Sequence, residues 1–278
     1  MFRLITMFFI MLSVKAVGAP MWIVGKDLKT GLPINVNIGD IELNELDNND
    51  VPTLINGRPA TAGEFPATVY ASMSGARCTG NVVGPHAMII AAHCVGNGKT
   101  ASFTIDGQNY DSTCTHSPDY GGNETADWAL CEVSKDVSGI EFESLNIDTN
   151  IPKVGDKITL TGFGCVNPGG GGGNDGILRV GESTVKRTPA SARDNDIVTQ
   201  GGAALCFGDS GGPAYAEVNG KRFQVSVNSR GDIRTTSYLS ALAVPQFTSF
   251  VTNWLSSHKA VKICGIGGFQ TGCRGGGE

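Results

Sequence analysis

The stretch Cys206-Phe207-Gly208-Asp209-Ser210-Gly211-Gly212-Pro213 sets one serine hydroxyl among three glycines. Glycine lets a chain turn tightly and leaves its amides open to an approaching molecule. A serine hydroxyl is a weak nucleophile and needs a neighbouring base, which must itself be oriented by a third group. Four histidines are available: His86, His93, His116 and His258. His93 follows an apolar run and precedes Cys94, where a packed imidazole is the bland reading; the other three lie in more polar surroundings. Asp127 leads the apolar segment Trp128-Ala129-Leu130, so it is expected to be partly buried. Burial favours one hydrogen-bonded partner over a solvated surface role.

Around this stretch the composition points to an all-β protein. The 278 residues include 39 glycines, and only 17% are charged. That is about twice the usual glycine content of ~7%, with charge below the roughly 25% of an average soluble chain. A coiled coil or helical repeat is excluded. Short segments rich in Val, Ile and Thr recur between turn residues at 67–73, 87–92, 157–162 and 222–228. Asn219-Gly220 reads as a hairpin, because the favoured two-residue turn needs positive φ at both central positions. Together these predict β-barrels or a sandwich. One helix is expected after Pro245, where Phe247, Phe250, Val251, Trp254 and Leu255 share a helical face.

The two ends have their own character. Arg3, the apolar run to Val14 and the small residues Ala16, Gly18 and Ala19 fit a secretory signal over residues 1–19, too short to span a membrane. Residues 20–53 carry Lys26 and Lys29 against six carboxylates and look like an extended acidic leader. Export implies an oxidising destination, so eight cysteines are expected to form four disulfides. No Cys-x-x-Cys spacing supports a zinc site, and no metal or cofactor is expected. A net charge of -5 offers no footprint for nucleic acid. The glycine tracts at Gly98 and at Gly169 to Gly173 lack the phosphate-loop pattern and read as loops, the tract at Gly169 to Gly173 and the Gly-rich C-terminus are expected to be flexible, and Asn123-Glu124-Thr125 forms a glycosylation triplet.

Four blocks in order resemble the trypsin/chymotrypsin-type serine proteases: Leu54-Ile55-Asn56-Gly57, Ala91-Ala92-His93-Cys94, Asp127-Trp128-Ala129-Leu130 and Gly208 to Pro213. The resemblance covers roughly residues 54–256 and implies two six-stranded antiparallel β-barrels with a C-terminal helix. It also implies a Ser210, His93, Asp127 triad and an oxyanion hole made by the N–H groups of Gly208 and Ser210. Protein or peptide substrates, a monomer and no membrane contact after signal removal follow from it. Cys78 and Cys94 match the family's disulfide beside the histidine. Cys114 and Cys131, flanking the Asp127 segment, are expected to pair. The family's partner for Cys206 is missing, which leaves Cys165 for Cys206, and Cys264 with Cys273 for a small loop in the Gly-rich tail 257–278.

Activation and specificity depart from the family. There, cutting the leader frees an ammonium that orders the oxyanion hole beside an aspartate; the matching residues are Leu54 and Asp209. Thr53 precedes Leu54, so a trypsin-like activator is not expected to make this cut, and another protease or self-cleavage is required. Where trypsin has its pocket aspartate this chain has Ala204, next to Leu205, which argues for an apolar or small residue before the scissile bond. Ser229-Arg230-Gly231 matches the strand lining the pocket, with Arg230 either favouring acidic side chains or pointing to solvent. Two rivals remain. One is a protease-like binding protein or locked precursor. The other is an α/β-hydrolase esterase using the Gly-x-Ser-x-Gly pattern, with His258 as base and Asp232 or Glu217 as its partner.

Overall fold

The computed structural model describes residues 22–26, 33–37, 54–191 and 193–274. The signal segment, Thr53 and residues 275–278 lie outside the described residues. Within the leader, β1 (Trp22–Lys26) and β2 (Pro33–Asn37) pair as an antiparallel hairpin, where the composition alone suggested only an extended segment. Two strands in isolation are at best marginally stable in water. This hairpin belongs to a compact unit distinct from the rest of the chain.

After the short β3 (Arg58–Pro59), six strands form the first barrel: β4 (Thr68–Met73), β5 (Ala76–Gly84), β6 (Ala87–Ile90), β7 (Thr100–Ile105), β8 (Gln108–His116) and β9 (Ala129–Val133). They close in the order β4-β5-β6-β9-β8-β7. The second barrel uses β10 (Lys157–Gly162), β11 (Arg179–Arg187), β12 (Asp196–Gly202), β13 (Pro213–Val218), β14 (Lys221–Gly231) and β15 (Thr236–Ala241). Its order is β10-β13-β14-β15-β12-β11, closed by the β10–β11 pairing, with β3 added along β11. Asn219 and Gly220 both have positive φ, 52° and 73°, and turn β13 into β14 as their sequence predicts. Asp106-Gly107 does the same between β7 and β8, with φ of 48° and 76°.

Alternation puts one face of each strand inside. On β8, Tyr110, Ser112 and Cys114 are buried while Asn109, Asp111 and Thr113 are exposed. The helix α1 (Pro245–Ser257) buries Phe247, Phe250, Val251 and Trp254 on the expected face. Phe247 packs against Trp128, ring centroids 5.5 Å apart, and the Trp128 indole donates to Ser240 O on β15 at 3.2 Å. Between the barrels runs a buried polar seam. Asn81 on β5 donates to Gln224 on β14 at 2.8 Å, both fully buried, and Thr68 meets the Tyr215 hydroxyl at 3.2 Å. Each buried polar group in such a seam is costly unless paired, so the seam sets how the barrels meet.

The described part of the tail is packed, although its glycine content suggested flexibility. Val261, Ile263 and Cys264 are buried, and Cys264 exchanges backbone hydrogen bonds with Val83 and Leu145 at 2.7 and 2.9 Å. Gly265, at φ 84°, has no room for a side chain, since a Cβ would lie 2.1 Å from the Leu145 carbonyl. Apolar residues alternating with lysine, Val261-Lys262-Ile263, drive the docking, and the glycines permit the turns around it.

Candidate active site

His93 occupies a single 3-10 turn (Ala92–Cys94) directly after β6. Its backbone N–H donates to Asp127 Oδ1 at 2.9 Å, and its ring Nδ1 lies 2.6 Å from Asp127 Oδ2. The Asp127 side chain is only 2% exposed, whereas that of His93 is 36% exposed. A third donor, the Ser229 hydroxyl from β14 of the other barrel, reaches Asp127 Oδ2 at 2.7 Å. Burial alone pushes the Asp127 carboxyl up. The His93 hydrogen bond and charge, with the Ser229 and His93 N–H contacts, outweigh it and hold this group below its ordinary value. An ionised carboxylate only accepts, so Nδ1 carries the proton and Nε2 is left as the basic lone pair.

Ser210 lies on the loop between β12 and β13, in the second barrel. Glycine is required there: Gly208 has φ 101°, and a Cβ on Gly211 would sit 2.3 Å from the Thr79 carbonyl. Ser210 Oγ donates to the Ser229 carbonyl at 3.5 Å, and among the described residues no hydrogen bond joins it to His93 Nε2. Such links are often long before substrate binds. The N–H groups of Gly208 and Ser210 donate to no acceptor among the described residues.

Asp209 is fully buried beneath this loop. Its carboxylate accepts the N–H of Gly164 and of Cys206, each at 2.8 Å. Gly162 and Gly164 make the space, since a Cβ on either would fall 2.2 or 2.6 Å from Asp209 Oδ1. Burial pushes the Asp209 carboxyl up to about 7 despite these donors. Leu54 and Ile55 are buried as well, but in the intact chain Leu54 contributes a peptide nitrogen, and no ion pair to Asp209 exists among the described residues.

All four expected disulfides are present: Cys78–Cys94, Cys114–Cys131, Cys165–Cys206 and Cys264–Cys273. Cys78, His93 and Cys94 cluster as three potential metal donors, but the two sulfurs are a cystine rather than thiolates. Ala204 and Leu205 are buried, their N–H groups bound to Ile55 O and Ser237 Oγ, both at 3.0 Å. Gly231 lies where a Cβ would meet the Thr236 carbonyl at 2.6 Å. Arg230 is held by neighbouring side chains. Its guanidinium pairs with Asp196 at 2.5 Å, lies 3.7 Å from Glu124 and covers the Tyr238 ring at 5.1 Å.

The esterase residues stay apart. His258 stacks on Trp254 at the end of α1 and hydrogen-bonds its carbonyl at 2.8 Å, while Asp232 accepts the N–H groups of Arg234, Thr235 and Thr236. Glu217 sits on β13, and the antiparallel barrels lack the parallel sheet that the esterase elbow needs. Two residues at the site were not anticipated, Thr79 and Asn228. The Asn228 amide donates to the carbonyls of Thr161 at 2.9 Å and Asp209 at 3.3 Å. For Thr79 the sequence signal is only its place next to Cys78, whose predicted partner adjoins His93; nothing in it points to the Gly208 carbonyl.

The sequence profile of the trypsin family matches residues 54–252. The chain belongs to the trypsin family. It is similar to a trypsin-like protease of Streptomyces glaucescens, 29% identical over 202 residues, covering 64% of this chain and 73% of the relative. It is similar also to serine proteases 1 and 2 of Drosophila melanogaster, each 30% identical over 211 residues, covering 64% of this chain and 75% of the relative. As a member of the trypsin family, the protein is a serine-type endopeptidase with the chymotrypsin-like two-barrel fold.

Proposed function

We propose that Ser210, His93 and Asp127 form the catalytic triad of an exported endopeptidase made as a precursor. The observation that carries this reading is the buried Asp127 carboxylate accepting both N–H groups of His93, at 2.9 and 2.6 Å. That contact sets the tautomer and leaves Nε2 free to take the Ser210 proton. Ser210 Oγ then attacks the scissile carbonyl, and the imidazolium, stabilised by Asp127, returns the proton to the leaving amine. Water repeats the sequence on the acyl-enzyme. The amides of Gly208 and Ser210 receive the oxyanion, each donor contributing about 3 kcal/mol to the transition state.

Residues 1–19 direct export and residues 20–53 form the leader. Cleavage after Thr53 frees the Leu54 ammonium to pair with Asp209, whose buried charge is otherwise costly. Ala204 at the pocket position favours a small or apolar residue before the scissile bond, which also suits self-cleavage after Thr53. The pairing of Arg230 with Asp196 neutralises the charge that an acidic substrate residue would seek.

Fluorophosphonate labelling of the secreted protein, with N-terminal sequencing, tests this reading. Labelling is expected only after the leader is cut, to be abolished by Ser210→Ala, to slow greatly in His93→Ala and to persist in His258→Ala. Dependence on His258 instead of His93 would overturn it, and labelling of the uncut chain at full rate would remove the precursor step.

A further inference from the structure

The loop that carries Ser210 presents two unspent amides because everything around them is anchored. The Phe207 carbonyl accepts the Cys165 N–H at 2.9 Å, and the Asp209 carbonyl accepts the Gly212 N–H at 3.0 Å. The Ser210 carbonyl accepts the backbone N–H of Thr79 at 2.8 Å. The remaining carbonyl, that of Gly208, is held by a side chain: the Thr79 hydroxyl donates to it at 2.8 Å. The same hydroxyl accepts the N–H of Phe163 at 3.1 Å, so its donor and an acceptor position are both used. Thr79 is fully buried on β5 of the first barrel, whereas its partners Gly208 and Ser210 belong to the second.

Gly208 is the weak point of this loop. At φ 101° it has no side chain to resist rotation of the Gly208–Asp209 peptide, which links the two peptides that carry the Gly208 and Ser210 N–H groups and so sets their relative orientation. The peptide between Gly208 and Asp209 is pinned at one end by the Asp209 N–H, which donates to the Cys206 carbonyl at 3.1 Å. The other end is pinned only by Thr79. We propose that the Thr79 hydroxyl is a positioning group for the oxyanion hole, holding the Gly208 carbonyl so that the amides of Gly208 and Ser210 stay directed at the developing charge. This rests on the assignment of Ser210 and Gly208 above. A misplacement of about 1 Å in such a site costs on the order of 100-fold in rate.

The test uses the full chain cut after residue 53 and the peptide p-nitroanilide that the parent turns over fastest, with the matching peptide aldehyde as inhibitor. In Thr79→Val, which keeps the shape and removes the hydroxyl, kcat is expected to fall about 10- to 100-fold with KM within twofold. The aldehyde, whose adduct places an oxyanion in the hole, is expected to bind more weakly by a similar factor. Thr79→Ser, which restores the hydroxyl, is expected to stay within about threefold of the parent. Should Thr79→Val not fold, Thr79→Ala is compared with Thr79→Ser, the two differing by the one oxygen. Parental kcat in the variant lacking the hydroxyl overturns the proposal, as does an equal loss in Thr79→Ser, which would mean packing alone. Ser210→Ala measured alongside separates the two levels: if it keeps parental activity the triad reading fails, and if it is inactive while Thr79→Val keeps the parental kcat, only the positioning role fails.

Discussion

The two halves of the candidate active site are built by different means. His93 and Asp127 both come from the first barrel and are joined by side-chain hydrogen bonds around an ionised carboxylate. The Ser210 loop, from the second barrel, is shaped almost wholly by backbone: glycines in conformations or spaces closed to other residues, and carbonyls anchored from neighbouring segments. Electrostatics therefore govern the first half, and steric fit governs the second. In the first, changing a charge should disrupt chemistry more than fold. In the second, burial of Asp209 with no ion pair among the described residues leaves the loop dependent on protonation.

The largest expected effect lies in the first half. Asp127→Asn preserves shape but allows the wrong His93 tautomer, and kcat is expected to drop about 10,000-fold. Thermal unfolding of this variant should change far less than its rate. Comparable losses in both would show that the acid-base half is held by packing rather than charge.

Asp209 tests the second half. Its folded-state value of about 7 lies above its unfolded value of 3.8, so the folded chain holds a proton that the unfolded chain has released. The stability this group contributes to the uncut chain is therefore full below pH 3.8 and is lost as the pH rises through about 7, by about 3 kcal/mol between pH 4 and pH 7. Urea unfolding of Ser210→Ala, purified with residues 20–53 uncut, should show that slope; adding Asp209→Asn should remove it. Cutting after Thr53 should flatten it too, once the Leu54 ammonium is present. Equal slopes with and without Asp209 would break the link.

A similar effect is expected at the disulfide that braces His93. Cys78 and Cys94 are 16 residues apart, and replacing both with alanine should cost about 3 kcal/mol. The measurement is the unfolding midpoint in urea, where no change would mean that strands β5 and β6 suffice to hold the turn.

Much of this was legible in the sequence because it depends on local chemistry. The glycines around Ser210, the turn at Asn219-Gly220 and the apolar face from Phe247 to Leu255 each declare their conformation within a few residues. What was hidden depends on long-range partners. Arg230 reads as a free cation until Asp196, 34 residues away, is found beside it. Thr79 reads as an ordinary strand residue, and its hydroxyl acts on a carbonyl 129 residues on. The tail misled through composition: glycine suggests freedom, yet Val261 and Ile263 bury themselves against the first barrel.

The last prediction concerns a side chain of the second barrel that reaches the acid-base half. The Ser229 hydroxyl crosses from the second barrel to Asp127, while the Ser229 carbonyl accepts from Ser210. Ser229→Ala removes only the first contact, a hydrogen bond to a charged group that still keeps two donors from His93. The loss is expected at about 1.5 kcal/mol, near the lower end for charged partners, with roughly a tenfold fall in kcat. The Asp127 carboxyl is held below its unfolded value of 3.8, so the stability it contributes is present above that pH and is lost as pH falls through the folded value. The stability gap between parent and Ser229→Ala should therefore be full at pH 7 and close in acid, the opposite trend to Asp209. A gap that stays constant down to low pH would mean that Ser229 packs against Asp127 without stabilising its charge.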